Sequence, residues 1–335
     1  MSLPAPLVVT CGETASIASE ITAKAWEATR HEANCAFFLI ADAADFLART
    51  EAVGLAVPVV TIDTPGQARK VFARALPILH VPLPKLSRAG WIDTRNSKFV
   101  IDVIKAAAAM CMKASTSAMI TNPIQKDALY AVGFKHQGHT DFLAAVAREK
   151  GYDATDVMML VAQDLRAVPI TVHVALKDVP QLITQQAIVS QGVVVAKALR
   201  KYFGVTTPRL AVTGLNPHAG ENGAMGDEDR LIIEPAIKQL QMMGLDVTGP
   251  LPADTSFHPE ARATYDVILC MYHDQALIPV KMLDFHGGVN VTLGLPFIRT
   301  SPDHGTALGL AGTGMARPDS LIAAIRLAAK MAKHA

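Results

Sequence analysis

Four short segments of this chain place a histidine beside an apolar run: Gln137-Gly138-His139-Thr140, Thr171-Val172-His173-Val174, Leu215-Asn216-Pro217-His218-Ala219-Gly220 and Met271-Tyr272-His273-Asp274. Neutral imidazole is the commonest metal ligand in proteins, and three together suit Zn²⁺ or a similar divalent ion. Any one histidine alone is more often a surface or hydrogen-bonded residue. Three features raise the odds here. Each of these histidines closes or follows a candidate strand, His218 is framed by Pro and Gly, and Asp274 brings a carboxylate next to His273. No two of them are close enough in sequence to form a local finger, so the fold has to assemble any metal site.

A second set follows His273. Lys281, Asn290 and Arg299 recur at intervals of nine residues. Lys and Arg are the usual partners of phosphate and carboxylate, and Arg can bind either in two-pronged fashion. Asn290 lies inside the apolar run Val289–Leu293, and Arg299 closes Leu-Gly-Leu-Pro-Phe-Ile. Polar groups within apolar runs need partners, and a bound anion would supply one. Beyond them the stretch from Asp303 to Gly314 is rich in glycine, but no segment carries the Gly-x-Gly-x-x-Gly dinucleotide fingerprint.

These residues need elements to position them. The chain has 335 residues, half of them apolar and 18% charged, which is enough for a large core and argues against disorder. Lys and Arg number 31 against 30 Asp and Glu, so charge gives no reason to expect nucleic acid or an anionic membrane as partner. No apolar run reaches membrane-spanning length, and the opening residues do not read as a signal peptide. Four scattered cysteines without a Cys-x-x-Cys pair point to the reducing cytoplasm, with no disulfide framework.

Strands are expected at Leu7–Thr10, Ala36–Ile40, Ser117–Thr121, Met158–Ala162, Ile170–Val174, Leu210–Thr213, Val267–Met271 and Val289–Leu293. Helices are expected at Ser97–Lys113, Asp141–Lys150, Val179–Tyr202, Asp229–Gly244 and Ser320–Lys333. In the last, Leu321, Ile322, Ile325, Leu327, Ala328 and Met331 recur at helical spacing. Alternating strands and helices predict an α/β fold with largely parallel sheets. The Pro/Gly-rich stretches at His136–Thr140 and Gly249–Pro252 are candidate domain crossings.

Taken together, Leu215–Glu221 (LNPHAGE), Gly249–Thr255 (GPLPADT), Met271–Gln275 (MYHDQ), Val289–Ser301 (VNVTLGLPFIRTS) and Asp303–Leu308 (DHGTAL) resemble the signature segments of the 4-hydroxythreonine-4-phosphate dehydrogenase family of vitamin B6 biosynthesis. The resemblance runs in order through roughly residues 115–330. The DHGTA and AGTG segments are also similar to the cofactor loop of isocitrate and isopropylmalate dehydrogenases. The implied architecture is two α/β/α domains with a cleft between them, the first formed by residues 1–135 plus 290–335 and the second by residues 136–289.

Position by position, the resemblance implies metal ligation by His173, His218 and His273. Substrate contacts fall to His139, Thr140, Lys281, Asn290 and Arg299. Asp254 and Asp274 would support the metal or a proton relay. His304, Gly305, Thr306 and Ala307 would line a site for NAD, or for NADP. The metal would be Zn²⁺, with Mg²⁺, Co²⁺ and Mn²⁺ also open. The family is a homodimer with the active site at the interface, one metal ligand coming from the second chain. The implied reaction oxidises 4-phosphohydroxy-L-threonine to a β-keto acid that decarboxylates to 3-amino-2-oxopropyl phosphate.

The chain departs from the family at its start. In place of Gly-Asp-Pro-x-Gly-Ile-Gly-Pro-Glu it has Gly12-Glu13-Thr14-Ala15-Ser16-Ile17-Ala18-Ser19-Glu20, and in place of Thr-Gly-Pro it has Thr121-Asn122-Pro123. These changes bear on the substrate more than on the chemistry. The alternative is a catabolic paralog that oxidises 4-phospho-erythronate, 4-phospho-threonate or a cis-dihydrodiol carboxylate. Two readings come from other classes. One is a metal-bound sensor or binding protein that has lost catalysis, against which every expected site residue in the C-terminal two-thirds is present. The other is a zinc hydrolase using the three histidines, which would need a general base and no cofactor loop.

Overall fold

A computed structural model describes residues 4–335. Its strands are β1 (Leu7–Thr10), β2 (Phe37–Ala41), β3 (Val59–Ile62), β4 (Leu76–His80), β5 (Met119–Thr121), β6 (Val157–Ala162), β7 (Leu165–Pro169), β8 (Arg209–Thr213), β9 (Asp246–Leu251), β10 (Val267–Cys270), β11 (Val289–Leu293) and β12 (Arg299–Pro302). Helices alternate with them, so the fold is mixed α/β. Contacts group the residues into two units. The first takes the chain up to Asp156 and returns for Leu295–Lys333, and the second is Val157–Gly294.

In the first unit the strand order is β3-β4-β2-β1-β5-β12, and every pairing is parallel. β1 and β2 are buried along their whole length, which is why they read as unbroken apolar runs rather than alternating ones. The helix Ser97–Met112 packs on this sheet through Phe99, Val100, Val103, Ile104, Ala107, Ala108 and Cys111, a stripe at helical spacing. The second unit orders its strands β11-β6-β7-β10-β8-β9. Here β6 pairs antiparallel with both β11 and β7, and the remaining neighbours are parallel.

Several expectations need correction. Ile170–Val174 is not a strand. The strand lies earlier, at Leu165–Pro169, as the return arm of a hairpin with β6, and His173 falls in the loop that follows. The expected helix Val179–Tyr202 breaks into Val179–Leu182 and Gln185–Phe203, because Thr184 turns extended and its hydroxyl caps the second piece at the Ala187 amide. Residues 136–156 group with the first unit, where Phe142, Leu143, Val146 and Ala147 of the helix His139–Glu149 join its core. Helices at Ala18–Thr29 and His273–Leu283 were not expected.

One turn positions the start of the first unit. After β1 the chain passes through Gly12 at φ +67°. A Cβ there would lie 2.7 Å from the Asn122 Cβ and 2.7 Å from the Pro123 carbonyl oxygen. Glycine is required by both the angle and the space. The close approach brings the loops after β1 and β5 together, and the Glu13 amide donates to the Pro123 carbonyl at 2.8 Å.

Candidate active site

In the second unit, two of the three expected metal-ligand histidines meet. The rings of His173 and His273 lie 5.6 Å apart, centroid to centroid. They are gathered by the backbone of Met271, whose carbonyl accepts from the Thr171 hydroxyl at 2.8 Å and whose amide donates to the Gln275 side-chain oxygen at 2.6 Å. That oxygen also accepts from the Thr213 hydroxyl at 2.7 Å, and the Gln275 amide group donates to the Gly214 carbonyl at 2.9 Å. Gln275 therefore staples the end of β8 to the end of β10, and both His218 and His273 lie just beyond those ends. The sequence offered one signal for it, the Gln that closes Met-Tyr-His-Asp-Gln, but no chemistry marked it as a brace.

His273 opens its helix, and its Nδ1 lies 2.7 Å from an Asp274 carboxylate oxygen. A carboxylate on one ring nitrogen fixes the tautomer and leaves Nε2 as the ring atom that could serve as a ligand. His218 sits differently. Residues 218–222 all have positive φ, a left-handed turn in which only Gly220 is free of strain. Asp229 holds this loop from beneath, its buried carboxylate accepting from the amides of Leu215 at 2.8 Å and Asn216 at 3.2 Å. The His218 side chain is exposed, 3.9 Å from Glu221.

Among the described residues no three His, Cys, Asp or Glu side chains lie close enough together to hold a metal ion. The donor chemistry of the His173–His273 pair fits a divalent metal, and the single chain brings together two of the three expected ligands. Asp254 is exposed in the turn Ala253–Thr255. The Lys281 ammonium lies over the Phe285 ring at 5.4 Å. The Asn290 side-chain oxygen is buried without a hydrogen-bond partner.

In the first unit, Arg299 opens β12 and is 3% exposed. It donates from Nε and Nη2 to the Thr121 hydroxyl, at 3.2 and 2.6 Å. Burial draws the guanidinium pKa down to about 9. His139 sits at the start of its helix with Nε2 out of solvent and unpartnered. Burial, and then the Arg299 charge, push the imidazole pKa well below its usual value, so His139 is neutral at physiological pH. Thr140 follows on the same first turn.

The expected cofactor segment is tied down residue by residue. The Thr306 hydroxyl donates to the Gln125 side-chain oxygen at 2.9 Å, and the Thr306 carbonyl accepts from the Ile17 amide at 3.3 Å. Ala307 is left-handed at φ +44°. His304 Nδ1 lies 3.0 Å from the Gly305 carbonyl oxygen, and its Nε2 is buried without a partner.

The cysteines play no part in these clusters. All four are free, and burial pushes the thiols of Cys35 and Cys111 up to about 12.

Residues 33–328 match the family model described as pyridoxal phosphate biosynthetic protein PdxA. This chain belongs to that family. A 4-hydroxythreonine-4-phosphate dehydrogenase of Caulobacter vibrioides is 50% identical over 329 residues, covering 98% of this chain and 97% of that one. The crystal structure of the Klebsiella pneumoniae 4-hydroxythreonine-4-phosphate dehydrogenase superposes with a TM-score of 0.89 at 35% identity, with 99% of each chain covered. A terephthalate 1,2-cis-dihydrodiol dehydrogenase from Burkholderia xenovorans gives 0.65 at 26% identity over 98% of each chain. The family model begins at residue 33, after the divergent segment Gly12–Glu20, while the Caulobacter vibrioides relative aligns over 98% of the chain. Among the described residues no single helix is long and apolar enough to cross a membrane.

Proposed function

We propose that this PdxA family member oxidises 4-phosphohydroxy-L-threonine with NAD or NADP to a β-keto acid, which loses CO₂ to give 3-amino-2-oxopropyl phosphate for pyridoxal phosphate synthesis. The observation that carries the proposal is full-length similarity, at up to half of all positions, to proteins that bear this activity's name. The isocitrate dehydrogenase-like two-domain arrangement with its cleft, a cytoplasmic location and a homodimer belong to the same reading.

In this reading Arg299, Lys281 and Asn290 hold the anionic end of the substrate, aided by His139 and Thr140. Thr121 presets the Arg299 guanidinium, so little side-chain freedom is lost when an anion binds. His139 is neutral and has an open Nε2, which suits a hydrogen bond to the substrate rather than a second positive charge. Binding energy gathered at this remote anion holds the reacting carbon in place.

His173 and His273 are the ligands this chain offers to a divalent metal, Zn²⁺ first and Mg²⁺, Co²⁺ or Mn²⁺ in reserve. His218 completes the set, with one ligand coming from a second copy of the chain. When bound, the metal would lower the pKa of the substrate hydroxyl and withdraw electrons from the ketone during decarboxylation. NAD, against His304–Ala307, would accept the hydride. Asp274 acts through His273 by fixing its tautomer, and Asp254 supplies an exposed carboxylate for proton movement.

A second reading has its own support. The likeness to the Burkholderia xenovorans dihydrodiol dehydrogenase and the altered segment Gly12–Glu20 both favour a catabolic paralog acting on a phosphorylated four-carbon sugar acid or a dihydrodiol carboxylate. NADH formation by the purified protein with added metal, compared across the three substrate classes, separates the readings. Preference for 4-phosphohydroxy-L-threonine supports the B6 role, preference for either other class replaces it, and no turnover with any of them overturns both.

A further inference from the structure

The helix Ala18–Thr29 and the turn before it face the 306–316 stretch with three residues on successive turns. The Ile17 amide donates to the Thr306 carbonyl at 3.3 Å. The Glu20 carboxylate accepts from the Gly312 amide at 2.6 Å and from the Gly314 amide at 3.1 Å, one oxygen to each. The Lys24 ammonium donates to the carbonyls of Gly314 at 2.6 Å and Ala316 at 2.8 Å. Positions 17, 20 and 24 share one helix face.

Glu20 is fully buried, and the Arg49 guanidinium lies 4.0 Å away. Arg49 is itself fixed by the carbonyls of Thr14 at 2.7 Å and Ser16 at 2.9 Å. A buried carboxylate with a cation beside it and two amide donors is a satisfied anion site.

Glycine-rich loops usually bind phosphate by turning their amides toward it. In this loop the amides of Gly312 and Gly314 are already taken by Glu20. We propose that Glu20 and Lys24 are positioning residues for the dinucleotide. They clamp the loop Ala311–Ala316 in one shape, so that the neighbouring residues His304–Ala307, and not the amides of Gly312 and Gly314, present the cofactor contacts. The inference rests on the assignment of His304–Ala307 to the NAD site. It also gives a role to Ile17 and Glu20, two of the residues that the divergent opening segment retains.

The test uses the full-length protein, its Glu20→Gln and Lys24→Met variants, and Glu20→Asp, which keeps the charge but shortens the reach. NAD binding is measured by calorimetry, and amide hydrogen exchange is followed at Gly312 and Gly314. In Glu20→Gln and Glu20→Asp both amides should exchange faster, and the Kd for NAD should rise severalfold in all three variants. The KM for the hydroxy-acid substrate should move less. Faster exchange with unchanged NAD affinity overturns the positioning role and leaves a purely structural clamp. An equal rise in both constants also overturns it, as a general loss of fold. Failure of the unmodified protein to bind either NAD or NADP removes the cofactor assignment, and this inference with it.

Discussion

His139 shows how burial sets the state of a single group. Its folded pKa lies well below the usual imidazole value, through burial first and the Arg299 charge second. The unfolded chain therefore binds more protons than the folded one in the window below about 6.5. Stability contributed by the neutral ring is present above that window and is lost as pH falls through it. The denaturation midpoint should drop as pH is lowered from 7 toward 5, and His139→Gln should flatten that drop; an unchanged profile would remove the assignment. Asp274 acts on its neighbour instead. Replacing it with Asn removes the carboxylate that fixes the His273 tautomer, and partners of this kind are worth about 10–100-fold in metal affinity. Because Asp274 is largely exposed, a loss near the lower end is expected when Zn²⁺ binding is titrated. Arg299→Ala should raise KM and also lower kcat if anion binding positions the reacting carbon; a change confined to KM would show that the anion contributes only affinity.

At the scale of elements, the site depends on how strand ends are tied together. Gln275 makes three buried hydrogen bonds that join the ends of β8 and β10. Gln275→Leu leaves the Met271 amide and the Gly214 carbonyl without that partner, and each such group costs about 1–3 kcal/mol. A loss of about 3 kcal/mol is expected in urea unfolding, with weakened metal binding; full stability would mean that the ladder itself holds these ends. Gly12→Ala should also destabilise, by about 1–3 kcal/mol for the left-handed angle alone, because Asn122 and the Pro123 backbone block the new methyl group. The pattern of residues made many elements readable. Val289–Leu293 stands as a strand over the residues its composition predicts, and the helix Ser97–Met112 follows its apolar spacing. The error at Ile170–Val174 has a clear cause. β-Branched residues there resemble a strand, but pairing with β6 reaches only Ala167 and ladder pairing with β10 only Pro169, and past it only single backbone bonds from Ile170 and Thr171 to Cys270 and Met271 remain.

For the whole molecule, the proposed metal site turns on where a third ligand would come from. His173 and His273 meet within one chain, and His218 joins no three-residue group among the described residues. If a second copy shares the site, co-expressed His218→Ala and His273→Ala chains isolated as a mixed dimer contain one intact ligand set in two. That dimer should show about half the wild-type turnover, while each parent variant is inactive, as follows from a two-fold interface. Zero activity in the mixed dimer would place all three ligands on one chain. Sedimentation should report the dimer independently of activity.

The sequence by itself determined the α/β class and the family. Hydrophobic runs report burial directly, and segments such as Met271–Gln275 and Val289–Ser301 are long enough to be specific. It also singled out the histidines and Arg299 as candidates, because imidazole and guanidinium carry their chemistry in their type. It did not show the Thr121 hydroxyl beneath Arg299, the Gln275 brace, or the Glu20 carboxylate that occupies the loop amides of Gly312 and Gly314. Nor did it show that the loop at His218 runs left-handed over the Asp229 carboxylate. Apart from the Gln275–Met271 bond, these hydrogen bonds join partners 13 to 294 positions apart in the chain. Local pattern carries no record of such pairings, and only the packing of sheet and helices brings the groups within hydrogen-bond reach.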